Sequence, residues 1–258
     1  PLSPTFEDQW NSNSQNWPVG RGFVAGNIDG EIYCWGGEQS QPDGRDMNLP
    51  TDVVHGFNPA NKAWRRIPVS NDIPAASVHS AGVVFDGSLY IFGGSENNSM
   101  NNLMNNRSNE IHSFSPSFRA LRRLPVVGAR PSPRECSEGW THEGKIFFFG
   151  GWVGPEDLEC FAGPDFEGVD DGGCDNLLCE FDPRANKWRE VATSGPIPAP
   201  RHEFAVAQLG NRVFIHGGWD GFSMRLTDFT MLDMTFWSWT KINESGPALS
   251  RHSLSPIS

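Results

Sequence analysis

The chain has 258 residues and a formal net charge of −11 at pH 7. Ten tryptophans and eighteen phenylalanines supply enough apolar surface for a packed core, which argues against a disordered chain. The acidic balance argues against a broad nucleic-acid surface, because surfaces that bind phosphate backbones are basic. The 28 glycines and 20 prolines favour many short elements joined by turns over long helices. We therefore expect no nucleic-acid partner.

The sequence has no apolar run near the roughly 20 residues that a membrane-crossing helix needs, so we expect no membrane partner. Its five cysteines are odd in number and scattered along the chain, which is a poor basis for a disulfide framework. These features predict a protein of a reducing compartment, the cytoplasm or the nucleus.

Four Gly-Gly doublets mark a repeat along the chain. They begin at Gly36, Gly93, Gly150 and Gly217, and are therefore 57, 57 and 67 residues apart. Each doublet follows a tight turn and a short apolar run, which reads EIYCW, SLYIF, KIFFF and RVFIH in the four units. Another apolar stretch precedes each turn. This order predicts a β-hairpin that ends in the doublet.

Two further strands are predicted after each doublet. The first reads DVVHGFNP, EIHSFSP, NLLCEFDP and DFTMLDM, and the second reads KAWRRIP, RALRRLP, NKWREVA and WSWTKI. Trp64, Trp188 and Trp239 hold equivalent places in the second run, and Leu121 takes that place in the second unit. Each unit is therefore predicted to have four strands, with the loop between the second and third strands varying most.

A four-stranded unit cannot bury both of its faces alone, whereas radial stacking of such units does bury them. A period near 50 with a doublet and a later aromatic resembles the kelch repeat, which implies an all-β, kelch-type β-propeller. The predicted parts are an irregular segment 1–18, blades 19–70, 71–128, 129–197 and 198–248, and the first strand of a further blade, 249–258. Since propellers close with roughly 4–8 blades, we expect either part of a larger propeller or an unusual closure.

An arginine recurs before the doublets. Sixteen residues before the first glycine stand Arg134 and Arg201, with Ser77 in that place in the second unit; Arg251 fits it in the last segment, and Arg21 is one residue off. In kelch propellers this position begins the innermost strand at the channel mouth, so the resemblance implies a ring of arginines suited to carboxylates. The alternative is that these arginines cap loops between blades and pair with backbone carbonyls.

The residues directly after the doublets begin loops that often line the same face. They are Glu38, Ser95, Trp152 and Trp219. Exposed tryptophan beside arginine is typical of a protein-binding hot spot. The alternative is that Trp152 and Trp219 pack between blades, because tryptophan is mostly buried on average.

The loop from Glu156 to Asp175 is acidic, but it lacks the D-x-[DN]-x-[DN]-G spacing of a calcium loop. Cys160, Cys174 and Cys179 share this region without the C-x-x-C pair that zinc sites commonly use. We therefore expect a solvated loop, no metal and no cofactor.

The second half of the chain, residues 134–258, resembles the kelch-domain-containing substrate receptors of cullin–RING ubiquitin ligases. The segments KIFFFGGWVGPEDLE, GNRVFIHGGWDGFSMRLTDFTMLDMTFWSWTKI and SRHSLSP carry this resemblance. It implies a pocket that clasps the C-terminal carboxylate of a peptide, with Arg201 and Ser250 as contacts and aromatic residues around them. Arg251 departs from the family, which tends to have an aromatic there. The resemblance also implies a ligase adaptor as a partner.

Three interpretations of the function remain. The first is a protein-interaction module whose partner is a protein or peptide with acidic residues or a free C-terminus. The second is a cytoskeletal or signalling kelch scaffold without peptide-end recognition. The third is a propeller enzyme, which we do not expect. The ligand-binding residues predicted for the first are Arg21, Ser77, Arg134, Trp152, Arg201, Trp219, Ser250 and Arg251.

The enzyme interpretation lacks its motifs. A copper site of the galactose-oxidase type needs two tyrosines and two histidines, with one tyrosine bonded to a cysteine. Only Tyr33 and Tyr90 are present, and both belong to predicted strands beside a doublet. The S-x-D-x-G-x-x-W boxes of sialidases and the E-x-x-x-D-x-x-x-H motif of plant specifier proteins are absent.

Overall fold

The structure, a computed structural model, describes residues 20–40, 46–70, 72–75, 78–96, 106–154, 172–222, 224–243 and 246–255. Its regular elements over these ranges are all β-strands, numbered here in chain order. Within the same ranges, no helix has the length and apolarity needed to cross a membrane. The segment 1–18 of the sequence analysis lies outside the described residues.

Four sheets of four antiparallel strands form the body of the fold, and each lies within one of the four predicted blade ranges. The first contains β1 (Val24–Ile28), β2 (Glu31–Trp35), β5 (Val53–Asn58) and β6 (Ala63–Pro68). The second contains β7 (Ala81–Phe85), β8 (Ser88–Phe92), β11 (Ile111–Ser115) and β12 (Ala120–Arg123). The third contains β14 (Glu138–His142), β15 (Lys145–Phe149), β18 (Leu178–Asp182) and β19 (Lys187–Glu190). The fourth contains β20 (Ala205–Leu209), β21 (Arg212–His216), β22 (Phe229–Asp233) and β23 (Ser238–Asn243).

Shorter strands lie beside the doublets, at one end of the four sheets. β3 (Glu38–Ser40) pairs with β4 (Asp46–Asn48), and β9 (Ser95–Glu96) pairs with β10 (Asn106–Arg107). β16 (Trp152–Val153) pairs with both β13 (Arg134–Glu135) and β17 (Gly173–Cys174). In the third blade this small sheet connects the entering segment to the loop that leaves the doublet. Single β-bridges make the same connection in the other blades, Arg21 with Glu38, Val78 with Ser95 and His202 with Trp219.

The first hairpin of each blade follows directly from its turn residues. In the first three blades, two residues separate the first and second strands, and both take positive φ values. This is the type I′ turn, whose twist matches that of the flanking strands. The turn residues are Asp29–Gly30, Asp86–Gly87 and Glu143–Gly144.

At the second, third and fourth doublets, the chain that follows the blade crosses over the glycine pair. Gly94 N donates to Arg134 O at 2.8 Å, and Gly151 N donates to Arg201 O at 2.9 Å. A Cβ on Gly93 would lie 2.4 Å from Arg134 O, so a side chain there would push the neighbouring blade away. Both glycines of every doublet also have positive φ, which explains why the repeat uses glycine at these two places.

Among the described residues, the core consists of three apolar clusters, each formed where two consecutive blades meet. The recurring position in the last strand is buried in three blades, with Leu121, Trp188 and Trp239 only 0%, 3% and 2% exposed. Trp64 is partly exposed and packs on the Phe57 ring at 4.8 Å between centroids. The first strands lie innermost, since β7 contacts both β1 and β14, and β14 contacts β20. These contacts establish the radial, all-β arrangement that the repeat predicts.

Candidate functional site

Two of the predicted pocket arginines lie inside the protein. Arg201 is 0% exposed and Arg134 is 2% exposed. The Arg201 guanidinium donates to Asp228 Oδ1 and Oδ2 at 2.9 and 2.8 Å, and to Gly217 O at 2.9 Å. Arg134 repeats the pattern, with bonds of 2.9 and 3.0 Å to an aspartate and to a doublet carbonyl. A buried guanidinium needs such partners, because it carries a full charge and five N–H donors.

The structure therefore corrects the prediction that Arg134 and Arg201 line an open pocket. Each guanidinium ties the doublet of its own blade to the loop that enters the third strand. Neither reaches the surface, so the carboxylate contact implied for Arg201 finds that side chain already bonded to Asp228. The alternative that the sequence left open, pairing with backbone carbonyls, describes both residues.

Arg251 does not hold the place of Arg134 and Arg201. Gly218 N donates to Leu249 O at 2.8 Å, the same bond that the carbonyls of Arg134 and Arg201 accept in earlier blades. Arg251 lies two residues further on, at a position that has positive φ throughout the described repeats. We call this set the inner ring; it comprises Gly22, His79, Cys136, Glu203 and Arg251, with φ of 67°, 57°, 56°, 54° and 55°.

Backbone hydrogen bonds link the inner ring from one blade to the next. His79 N donates to Gly22 O at 2.8 Å, and Cys136 N donates to His79 O at 2.8 Å. Arg251 N likewise donates to Glu203 O at 2.9 Å. Gly22, His79, Cys136 and Glu203 each stand two residues before an innermost strand, so the inner ring lies at the mouth of the channel. The described residues after Arg251 form no strand, although the sequence predicted one there.

Two exposed arginines at the mouth are paired with carboxylates. Arg21, with 54% of its side chain exposed, lies 2.8 Å from Glu38 Oε1 and 2.7 Å from Asp46 Oδ2. Arg251, with 61% of its side chain exposed, donates from Nε to Glu203 Oε1 at 2.7 Å. The hydrogen bond to Glu38 raises the pKa of Arg21, and the hydrogen bond to Glu203 raises the pKa of Arg251. The mouth is therefore mixed in charge rather than a purely basic ring.

A third exposed arginine, Arg225, was missed in the sequence. Its guanidinium carbon lies 5.5 Å from the centroid of the Trp219 ring, and its Nε donates to Ser250 Oγ at 3.2 Å. Arg225 is placed there because the loop after the fourth doublet turns back and forms a β-bridge between Trp219 and Arg225. We call Trp219, Arg225 and Ser250 the mouth cluster. The signal in the sequence was Asp220-Gly221, a turn pair directly after Trp219.

Trp152 lies next to the mouth cluster. Its ring contacts the His202 ring edge-on, with 5.2 Å between centroids, and His202 forms a β-bridge with Trp219. A Cβ on Gly221 would lie 2.9 Å from Trp152 Cζ3, so the loop of the mouth cluster packs directly over this tryptophan. Both tryptophans are partly exposed. They are therefore neither fully packed between blades nor fully open to a partner, the two alternatives that the sequence suggested.

The residues that follow the doublets of the first two blades, in the places of Trp152 and Trp219, have a different role. Glu38 and Ser95 are each 4% exposed, and they hold Arg21 and Glu135 by side-chain bonds of 2.8 and 2.7 Å. Ser77, the remaining predicted site residue, lies outside the described residues. So do residues 155–171 of the acidic loop, with Cys160 among them. The tryptophan side of the mouth is thus formed by the third and fourth blades.

The sheets, the doublets and the channel mouth define a kelch-type propeller. The chain belongs to the kelch-repeat family, because the family model described as the KLHDC2/KLHL20/DRC7 Kelch-repeats domain matches residues 22–256. Kelch domains are in general modules for protein interaction, and the relatives below are kelch-domain proteins.

Kelch domain-containing protein 1 of Homo sapiens is 28% identical over 89% of this chain and 58% of that protein. Kelch domain-containing protein 2 of Bos taurus is 28% identical over 92% of this chain and 60% of that protein. The Rab9 effector protein with kelch motifs of Mus musculus is 27% identical over 74% of this chain and 44% of that protein. The chain thus spans about three fifths of the length of the first two relatives.

The fold has a close match among solved structures. The structure of YjhT superposes with a TM-score of 0.67 at 19% sequence identity. The match covers 90% of this chain and 68% of that one. At this identity the likeness establishes the propeller fold and nothing about activity.

Proposed function

We propose that this propeller binds a partner protein through the mouth cluster, and that an acidic group of the partner meets Arg225 and Ser250. The observation that carries the proposal is the environment of Arg225. Its guanidinium is exposed, lies against the Trp219 ring and donates to a hydroxyl, whereas Arg21 and Arg251 are bonded to carboxylates. Among the described residues, no carboxylate of the protein is bonded to Arg225. A carboxylate of the partner would therefore reach its guanidinium without displacing one.

The surroundings of Arg225 also suit a protein partner. Phe222 and Met224 belong to the same loop and are 52% and 63% exposed. Interfaces are enriched in aromatic residues, methionine and arginine, and arginine and tryptophan are frequent hot spots. The partner acceptor would be either an acidic side chain or a C-terminal carboxylate, both of which a guanidinium recognises by charge-assisted hydrogen bonds.

A more specific role for the whole protein follows from this proposal. We propose that the module recognises substrates for a cullin–RING ubiquitin ligase, in the cytoplasm or the nucleus. The resemblance of residues 134–258 to such receptors supports this role. Co-purification of the full-length protein with a cullin adaptor is its test, and a reproducible absence of the adaptor would contradict it.

A paired peptide screen tests the binding proposal. Fluorescence polarisation of a peptide library, each member made with a free and with an amidated C-terminus, separates the two acidic acceptors. We expect binders whose affinity falls about tenfold or more on amidation, because a charged hydrogen bond contributes about 1.5–3 kcal/mol. Binders that depend on an internal acidic residue would assign the contact to a side chain instead.

A matched pair of variants connects the binding to the mouth cluster. Arg225→Gln should weaken every such binder, because it removes the charge but keeps much of the side chain. Arg184→Gln is the control, since Arg184 is exposed beside Asp182, at the end of the third blade remote from the doublet. If both variants changed peptide affinity equally, the proposed contact at the mouth cluster would be contradicted. The protein would then be a scaffold that does not recognise peptides at the channel mouth.

A further inference from the structure

Five side chains that can bind metals meet at the inner ring. His79, Glu135 and Cys136 place their ligand atoms within 4.8 Å of one another. Cys136, His202 and Glu203 form a second set that meets the same limit and shares the cysteine. The two sets come from the segments that enter the second, third and fourth blades, so the propeller fold, not a local motif, brings them together.

The second set is the better prepared for a metal ion. His202 Nδ1 is buried and has no hydrogen-bond partner among the described residues. It lies 4.0 Å from Glu203 Oε1, which is too far for a hydrogen bond. The edge of a tetrahedral zinc site with ligands at about 2.0–2.3 Å is roughly 3.3–3.8 Å, so small side-chain rotations would bring His202 Nδ1 and the Glu203 carboxylate to the spacing of two ligands of one ion.

The first set is already satisfied by protein groups. Glu135 accepts hydrogen bonds from Ser95 at 2.7 Å and Arg107 at 3.0 Å, and His79 Nδ1 lies 3.4 Å from its Oε2. A metal at this set would have to compete with these contacts. At the second set, Arg251 donates to Glu203 Oε1 and leaves Oε2 for an ion, which is how neighbouring groups commonly orient a ligating carboxylate.

The backbone marks both sets alike, because His79, Cys136 and Glu203 all occupy inner-ring positions with positive φ. Cys136 and Glu203 occupy inner-ring positions with φ of 56° and 54°, which L-residues adopt at a cost of about 1–2 kcal/mol. Gly22 fills the equivalent position of the first blade, where no such cost arises. The third and fourth blades therefore have a thiol and a carboxylate at positions where glycine would fit the backbone better.

We propose that Cys136 Sγ, the His202 imidazole and the Glu203 carboxylate bind one zinc ion at the channel mouth. A thiolate with an imidazole and a carboxylate favours zinc over magnesium or calcium, which prefer oxygen ligands. The thiol proton is released to solvent as the Cys136 Sγ–Zn bond forms. Three protein ligands leave the fourth tetrahedral position open to water or to an acidic group. These ligands have no metal-binding spacing along the chain, which is why we expected no metal there.

Cobalt substitution tests the site without any peptide partner. The purified chain is stripped with a chelator, titrated with Co²⁺ and followed by absorption, and Zn²⁺ is then added in competition. We expect one equivalent of Co²⁺ with a thiolate-to-cobalt charge-transfer band that Zn²⁺ removes. A protein that shows no such band, or a band that survives in Cys136→Ser, would overturn the proposal.

Four variants assign the ligands and separate this inference from the proposed function. His202→Gln should lower Co²⁺ affinity by about tenfold or more, whereas His79→Gln should leave it nearly unchanged. The reverse order would overturn the assignment to the second set. Cys34→Ser should retain the band, because this buried thiol lies in β2 outside both sets. Arg225→Gln should also retain it, so loss of peptide binding and loss of metal binding are distinguishable.

Discussion

Two groups of arginines near the channel mouth differ in burial and in partners. Arg134 and Arg201 are buried and bonded to an aspartate and a doublet carbonyl. Arg21 and Arg251 are exposed at the mouth, next to or within the inner ring, and Arg225 is exposed there on the loop after the fourth doublet. The same residue type therefore holds a blade together at one position and faces solvent one or two residues away.

This difference shows that the residue type alone does not decide whether an arginine is buried or exposed. Its position relative to the residue that contacts the doublet does. The carbonyl that contacts the next doublet marks the buried position, and two residues later the chain reaches the inner ring. A side chain at the first position is enclosed by its blade. A side chain at the second is presented at the mouth.

Removing a buried arginine should have the largest effect on folding. Arg201→Ala leaves Asp228 without its cation, and breaking a buried ion pair in this way costs about 3–5 kcal/mol. Equilibrium urea unfolding would measure the loss. Arg251→Ala is the matched control, since exposed pairs contribute about 0–1 kcal/mol, and it should change the unfolding free energy by no more than that. Equal losses would remove the distinction between the two groups.

His112 tests whether the interior of the blades governs pH stability. It is 4% exposed, and burial, assisted by the charge of Arg123, lowers its pKa to about 4. The folded state resists protonation that the unfolded state accepts below about pH 6.5, so this contribution falls as the pH drops from 7 towards 4. Between pH 7 and 5 the wild type should lose about 1–2 kcal/mol more than His112→Gln, measured by urea unfolding. Identical pH profiles would contradict the shift.

Alanine substitutions at two glycines allow the packed loop of the mouth cluster to be compared with an open turn. Gly221 has φ of 86°, and a Cβ there would lie 2.9 Å from both Trp152 Cζ3 and Cys174 Sγ. Gly210 has φ of 58° and nothing within 4 Å of an added Cβ. Alanine at either site carries the backbone cost, but only Gly221→Ala also displaces Trp152. We expect its unfolding free energy to fall by about 1 kcal/mol more than that of Gly210→Ala, and equal losses would contradict this packing.

The repeat explains how much of the fold could be predicted. Doublets, tight-turn residues and alternating apolar runs are local signals, so a fold of four-stranded units could be predicted from them. Trp64, Trp188 and Trp239 were assigned equivalent places because they recur at a fixed position in the repeat. The structure places each of them in the last strand of its sheet. Leu121 was matched to the tryptophans for the same reason, and it is 0% exposed in the core.

The site was predicted less well, for two physical reasons. Arg251 was aligned by its residue type, because the last segment has no doublet from which to count, and the backbone bonds put Leu249 in that place. Arg225 reaches Trp219 only because its loop turns back, which depends on loop geometry rather than on the repeat. The ligands of the proposed zinc site come from separate blades, so no spacing along the chain could reveal them.

The central claim is that an exposed arginine at the mouth, not a buried one, meets the acidic end of a partner. A thermodynamic cycle tests it most directly, by measuring one peptide with a free and an amidated C-terminus against the wild type and Arg225→Gln. We predict that the variant loses about tenfold or more in affinity for the free peptide and almost nothing for the amidated peptide. Equal losses for both peptides would contradict the claim, because they would show that Arg225 does not contact the carboxylate.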